Sequence, residues 1–272
     1  KSEKIKTICV GNIYLGGTGK TPAVIELYKI LNELNLKVST GKKFYTSHLD
    51  EKIILEKKTN FIGAINRKKV LEIAEKNKQE FLIYDDGLQD KSISYHLQFV
   101  CFDAKKWIGN GNLIPSGPLR EKISSIIKYD AIFLKNYNSN KIDIINLIKK
   151  IKSNIEIFST FYEIVNINKF DLSQDYLIFS GIGNPADFKQ TLIKNNFKVV
   201  DEIIFPDHFN YKKNDIERIK NYAKKIKAKI ITTEKDYVKI SKIDCKDIDF
   251  LEVNLKIEER SKLVEFLKSK IL

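Results

Sequence analysis

The sequence predicts an α/β protein: a mostly parallel sheet with helices on both faces, followed by a second, smaller α/β lobe. Three observations lead there. Short apolar runs alternate with helical periodicity from end to end, the pattern of strand–helix–strand units. The 272 residues are enough for one large α/β domain or two smaller ones. A hydrophobic share of 43%, with 16 Phe and 12 Tyr, supplies a core and excludes wholesale disorder, while 12 Gly and 5 Pro exclude a collagen-like chain.

The elements follow in order. Ile5–Val10 reads as a strand and leads into a glycine-rich loop. A helix runs from about Thr21 to Asn32, with Val24, Leu27, Tyr28 and Leu31 on one face. Further strands are expected at Lys37–Thr40, Phe81–Tyr84, Leu97–Phe102, Ala131–Leu134, Tyr176–Phe179, Lys198–Phe205, Lys229–Thr232 and Phe250–Val253. Helical patterns lie at Arg67–Lys76, Lys141–Lys152, Pro185–Asn195, Asn214–Lys227 and Glu258–Lys270. Ile155–Ile167 is partly alternating and extended, with no helix signal. A fresh strand–turn–helix, Tyr176–Asn195, begins soon after it, which suggests a first lobe at 1–154, an extended linker at 155–168 and a second lobe at 169–272. One more strand of a single large sheet is the alternative.

No apolar run reaches about 18 residues, so no spanning helix is expected in this sequence. Lys1–Lys6 is charged and leads straight into a strand, unlike a signal peptide; Lys1 is not a translation start, so something precedes it. Cys9, Cys101 and Cys245 are odd in number and set in apolar runs, which suits buried, reduced thiols rather than a disulfide framework or a metal site. The net charge of +13 favours acidic partners such as nucleotides, nucleic acid or an anionic membrane surface. A Lys-, Ile- and Asn-rich composition spreads basic residues everywhere and explains the charge equally well.

The strongest local signal is Gly16-Gly17-Thr18-Gly19-Lys20-Thr21, between a strand and a helix. That is the context of a phosphate-binding loop, and it makes the fold P-loop NTPase-like. Glycines let backbone N–H groups close on phosphates, and the helix N-terminus adds positive charge. Lys20 reaches the β- and γ-phosphates, and the Thr21 hydroxyl is a Mg²⁺ ligand in such loops. Tyr14 stands where the common pattern has its first Gly, so this is a variant loop. Phe81–Asp86 is an apolar strand ending in two carboxylates, Asp85 and Asp86, the usual partner of such a loop at Mg²⁺. Gly109–Glu121 is a shaped, Gly- and Pro-rich loop whose Arg120 suits a phosphate clamp; an ordinary surface loop is the alternative. His208, beside Asp207, suits either a general-base partner or a structural histidine. Thr232–Asp236 follows a strand, at the edge where ligands bind in such sheets.

Taken in order, Val10-Gly11-Asn12, Gly16–Pro22, Asp85-Asp86-Gly87-Leu88-Gln89, Gly109-Asn110-Gly111, Pro115–Glu121, Gly181–Pro185, Asp207-His208 and Thr233–Asp236 closely resemble the tetraacyldisaccharide 4′-kinase family of lipid A biosynthesis. The resemblance covers nearly the whole chain. It implies transfer of the ATP γ-phosphoryl group to the 4′-hydroxyl of an acylated glucosamine disaccharide 1-phosphate, with Mg²⁺. It also implies two α/β lobes closing on nucleotide at the cytoplasmic face of the bacterial inner membrane, held peripherally or through an apolar N-terminal segment that this chain begins after. Residue by residue, Gly16, Gly17, Thr18, Gly19, Lys20 and Thr21 match the phosphate loop; Thr21, Asp85, Asp86, Gln89 and Glu121 match the metal site, and Arg120 the phosphate clamp. Ser47–Glu51 stands where the family has Gly-Asp-Glu, which makes Asp50 the candidate base and His208, from the other lobe, its partner. The chain departs from the family at Asp90, where a His is usual, and in a shortened segment, Thr40–Tyr45, in place of an Arg-Gly-Tyr-Gly-like stretch.

Two other readings compete. A P-loop ATPase with another acceptor or a switch role shares the loop; a GTPase needs an Asn-Lys-x-Asp segment, and Glu234-Lys235-Asp236 does not supply it. A nucleic-acid-binding protein would use the charge, but no helix-turn-helix, zinc-finger or aromatic–basic sheet signature is present, so no nucleic acid is expected.

Overall fold

The strands expected from apolar runs assemble, in the computed structural model, into two mostly parallel sheets. The structure describes residues 4–44, 49–136, 142–241, 243 and 245–271. In the first half, β1 (Lys6–Gly11), α1 (Lys20–Glu33), β2 (Val38–Lys43), α2 (Leu49–Lys58), β3 (Phe61–Ala64), α3 (Arg67–Lys76), β4 (Phe81–Asp85), β5 (Leu97–Asp103), β6 (Ala131–Lys135) and α4 (Ile142–Ile151) follow one another. Then come β7 (Glu156–Ile164), β8 (Asp175–Ser180), α5 (Pro185–Lys194), β9 (Lys198–Ile204), α6 (Lys213–Lys225), β10 (Lys229–Thr233), α7 (Glu234–Ile240), β11 (Ile248–Leu251), β12 (Val253–Ile257) and α8 (Arg260–Ile271).

The larger sheet has the order β12-β7-β6-β5-β1-β4-β2-β3. From β7 to β3 every neighbouring pair runs parallel. Central strands of such a sheet are covered on both faces, so they read as unbroken apolar runs. Phe81–Asp85 and Ala131–Lys135 are buried at every position. One face carries Val100, Phe102, Ile132 and Leu134; Phe99, Phe133 and Phe158 meet Phe266 of α8 or one another in an aromatic cluster. Gly41 in β2 is a close-packing position: a Cβ there would stand 2.6 Å from Val70 Cγ1 of α3.

The smaller sheet, β11-β10-β8-β9, is parallel throughout. Its residues alternate in facing: Tyr176 and Ile178 join Phe188 and Leu192, while Leu177 and Phe179 join Ile216 and Ile219.

The chain divides into two units at boundaries different from those expected. The first comprises Lys1–Phe44, Leu55–Phe161 and Leu255–Leu272, the second Tyr45–Ile54 and Tyr162–Asn254. The segment 155–168 is not a linker, because Glu156–Thr160 pairs residue for residue with Ala131–Lys135. Nor does 255–272 belong to the second unit. β12 lies beside β7 in the larger sheet, and α8 buries Leu263, Leu267 and Ile271. The expected strand at Phe250–Val253 is divided between β11 and β12, one in each sheet. Among the described residues no helix is long and apolar enough to cross a membrane.

Candidate active site

In the first unit, β1 ends at Gly11 and the chain loops over to α1, which starts at Lys20. The loop is built on glycine conformations: Gly16 has φ 100° and the N-cap Gly19 has φ 89°, both in the region that favours glycine. Asn12 holds it from beneath, its amide donating to the Gly16 carbonyl (3.2 Å) and to Thr18 Oγ1 (2.9 Å). Gly17 is exposed on the loop.

At the head of α1 the Thr21 hydroxyl donates to Asp85 Oδ2 (3.0 Å). The same oxygen accepts from Lys42 Nζ (2.7 Å), on β2. Asp85 is fully buried, and its Oδ1 is a buried acceptor with no donor among the described residues. Asp86 follows at φ 59°, in the left-handed region. Arg120 Nη1 meets both its oxygens, at 3.0 and 3.3 Å, and Lys20 Nζ lies 3.8 Å from Oδ2. Burial opposes ionisation of Asp86, but the charges of Lys20, Arg120 and Lys42 outweigh it and hold its pKa below the usual carboxylate value.

Arg120 reaches this point because its loop hydrogen-bonds back onto the phosphate loop. Arg120 N–H donates to the Ile13 carbonyl (2.7 Å) and Leu15 N–H to the Pro118 carbonyl (2.8 Å). Gln89 ties in the next residue, its amide donating to Glu121 Oε1 (2.9 Å) and to the Asn12 carbonyl (3.0 Å). Tyr129 OH also donates to Glu121 Oε1 (2.9 Å). Burial raises the Glu121 pKa, and the hydrogen bonds from Gln89, Tyr129 and Lys128 more than reverse that.

The donor set suits Mg²⁺. It offers hard oxygen ligands, the Thr21 hydroxyl beside a carboxylate whose Oδ1 has no donor. Among the described residues no group of three His, Cys, Asp or Glu side chains forms a metal cage. Mg²⁺ in nucleotide sites does not require one, since it keeps waters and phosphate oxygens.

Asp50 and His208 lie in the second unit, not in opposite lobes. Asp50 sits in the first turn of α2; Ser47 and His48, the preceding residues of that motif, fall outside the described residues, as does Tyr45. His208 has φ 58° and its N–H donates to the Gly181 carbonyl (3.0 Å). Its Nδ1 stands 3.3 Å from Asp50 Oδ2. The segment Thr233–Asp236 contributes α7, whose Lys239 and Lys235 face the same region. Lys239 Nζ is 3.7 Å from Asp50 Oδ2, and Lys235 Nζ is 2.6 Å from Glu51 Oε1. Burial raises the Asp50 pKa, but His208, Lys235 and Lys239 together pull it below the ordinary value.

The sequence reading therefore meets direct contacts among Lys20, Thr21, Asp85, Asp86 and Arg120, a Gln89–Glu121 pair tied to the loop, and a separate Asp50–His208 pair. It did not single out Asn12, Lys42, Arg67 or Lys239 as site residues. Lys42 and Lys239 are cations whose acidic partners are remote in sequence or one helical turn away. Only the Asp236–Lys239 spacing of three on a helix was a readable signal.

Comparison with known proteins gives a consistent result. The family model described as tetraacyldisaccharide-1-P 4′-kinase, LpxK, matches residues 1–41 and 38–272. A protein of Pelagibacter ubique named tetraacyldisaccharide 4′-kinase is 43% identical over 266 residues, 98% of this chain and 85% of its own length. One of Rickettsia bellii with the same name is 36% identical, over 96% of this chain and 84% of its own. A crystal structure of LpxK from Aquifex aeolicus in complex with ATP superposes with a TM-score of 0.73 at 22% identity, covering 100% of this chain and 90% of that one.

Proposed function

Because the chain belongs to the tetraacyldisaccharide-1-P 4′-kinase family, we propose that it transfers the γ-phosphoryl group of ATP to the 4′-hydroxyl of tetraacyldisaccharide 1-phosphate, a step of lipid A biosynthesis. The observation that carries this reading is the cluster at the mouth of the Gly16–Thr21 loop, where Lys20, Thr21 and Arg120 are held by two adjacent carboxylates, Asp85 and Asp86.

The roles follow from the geometry. Backbone N–H groups of the loop and the start of α1 cradle the phosphates. Lys20 and Arg120, both stationed on Asp86, supply positive charge to the transferring group. Thr21 and Asp85 would hold Mg²⁺, with Asp86, Gln89 and Glu121 as further candidate ligands; the ion would offset charge on the phosphate oxygens. Lys42, 2.7 Å from Asp85 Oδ2, fixes that carboxylate in place. The acceptor hydroxyl gives its proton to the Asp50 carboxylate as its oxygen bonds to the γ-phosphorus. The bond from phosphorus to the bridging oxygen breaks, and its electron pair leaves with ADP. His208, against Asp50 Oδ2, orients the base.

The acceptor is a lipid phosphate, and the net charge of +13 supports a peripheral position on an anionic leaflet, at the cytoplasmic face of the inner membrane. The test is transfer of label from γ-³²P-ATP to acylated disaccharide 1-phosphate in detergent micelles with Mg²⁺. A labelled bis-phosphorylated lipid is expected. Lys20→Ala and Asp50→Asn should each cost about two orders of magnitude or more in rate; an unchanged rate in Lys20→Ala would sink the assignment.

A further inference from the structure

Lys239 is a cation beside Asp50 that the mechanism above does not use, and unlike Lys235, which binds Glu51, it stands 3.7 Å from the Asp50 carboxylate itself. Its ammonium is held at three points besides Asp50: Asp236 Oδ1 at 3.1 Å, the Gly181 carbonyl at 3.4 Å and the Tyr211 ring, 5.8 Å from its centroid. Asp236 is itself immobile. It is fully buried, and it accepts from Gly181 N–H (3.0 Å), Thr233 Oγ1 (2.7 Å) and Tyr211 OH (3.1 Å). Lys239 therefore hangs from a rigid bracket and stops 3.7 Å from Asp50 Oδ2, outside hydrogen-bonding distance.

We propose that Lys239 is a positioning residue, tethered by Asp236 so that it fixes the Asp50 carboxylate for proton acceptance without capping it. The inference rests on Asp50 being the base. An ammonium in full hydrogen bond with a carboxylate occupies a lone pair that the incoming proton needs. One held just beyond that distance still stabilises the anion, yet leaves the oxygen open. Both Asp50 oxygens are buried acceptors with no hydrogen-bond donor among the described residues, so Lys239 leaves their lone pairs uncapped. The tether also accounts for charge after the step: once Asp50 is neutral, Lys239 keeps Asp236 as counter-ion.

The groups facing Asp50 are His208 from the loop after β9, and Lys235 and Lys239 from α7. Behind them stand Asp207, 3.9 Å from His208 Nε2, Glu51, which binds Lys235, and Asp236. All but Lys239 remain in a Lys239→Met variant, so its effect is separable.

The experiment is the pH profile of kcat/KM for lipid phosphorylation in Lys239→Met and Lys239→Arg, with Asp50→Asn alongside. Carboxyl ¹³C NMR titration of Asp50, in protein labelled at aspartate and assigned by Asp50→Asn, runs without substrate. Lys239→Met should move the acid limb and the Asp50 titration upward by about one pH unit, lower kcat about tenfold and leave KM for ATP unchanged; Lys239→Arg should restore much of the rate. If Lys239→Met does not fold, Asp236→Asn/Lys239→Met removes both charges and answers the same question. An unmoved acid limb and unmoved ¹³C titration, with Asp50→Asn inactive, overturn the role of Lys239 and leave the base standing. A fully active Asp50→Asn overturns the base, and this inference with it.

Discussion

Arg67, at the start of α3, binds the turn after β4 at two points: its guanidinium meets the Asp90 carboxylate at 2.6 Å and donates to the Asp86 carbonyl. Asp90, the departure from the family pattern, thus has a partner of its own. Burial works against its charge, but hydrogen bonds from Ser92 and Arg67, with the Arg67 charge, bring its pKa down to about 2. A carboxyl depressed in the folded state stabilises above its unfolded pKa of about 3.9, and that share is lost as pH falls through about 2. Asp90→Asn should therefore flatten the acid-unfolding curve between about pH 4 and 2, measured by the fluorescence of Trp107, the one tryptophan. A neighbouring position behaves differently. Asp85→Asn removes one charge of the buried Lys42–Asp85 pair and should cost about 3 kcal/mol or more. Lys42→Met/Asp85→Asn should recover most of that stability but not Mg²⁺-dependent ATP binding. Denaturant midpoints and the Tm rise with Mg²⁺·ATP read the two effects apart.

At the scale of elements, α8 carries the clearest lesson. Its Leu267 is fully buried, and its Phe266 meets Phe99 and Phe158 of the larger sheet. Leu267→Ala should destabilise the first unit by about 2–5 kcal/mol, lowering the unfolding midpoint reported by Trp107, which packs on Phe102 of that unit. Had α8 served the second unit, Trp107 would be indifferent. The sequence reading assigned it there by order along the chain, and periodicity says only that a helix has an apolar face, not what covers it. Elements with long uniform patterns were legible: Arg67–Lys76 is a helix at its expected bounds, and the central strands lie within a residue or two of theirs. Three short or weakly patterned ones escaped. α2 is Leu-Asp-Glu-Lys at its start and weakly amphipathic, β3 has four residues, and α7 has seven. α7 carried a local cue nonetheless, since Thr233 accepts from Asp236 N–H as an N-cap. The phosphate loop was legible because its chemistry is contiguous in sequence. The bracket around Lys239 was not, because Gly181, Tyr211 and Asp236 meet only after the smaller sheet has formed.

For the whole molecule, the excess of 13 positive charges predicts how the protein meets a lipid surface. Binding to vesicles containing anionic lipid should weaken steeply as salt rises, by co-sedimentation, and should be weak on neutral vesicles at any salt. Salt-independent binding would point to apolar insertion instead. The interleaving of the two units has a consequence of another kind, for the nascent chain. The second unit draws on Tyr45–Ile54 and Tyr162–Asn254, whereas the first still awaits β12 and α8 when Asn254 leaves the ribosome. The unit that starts first is therefore the one completed last. Until α8 arrives, Phe99 and Phe158 lack its aromatic cover, so it is the half-made first unit that a chaperone would be called on to shield.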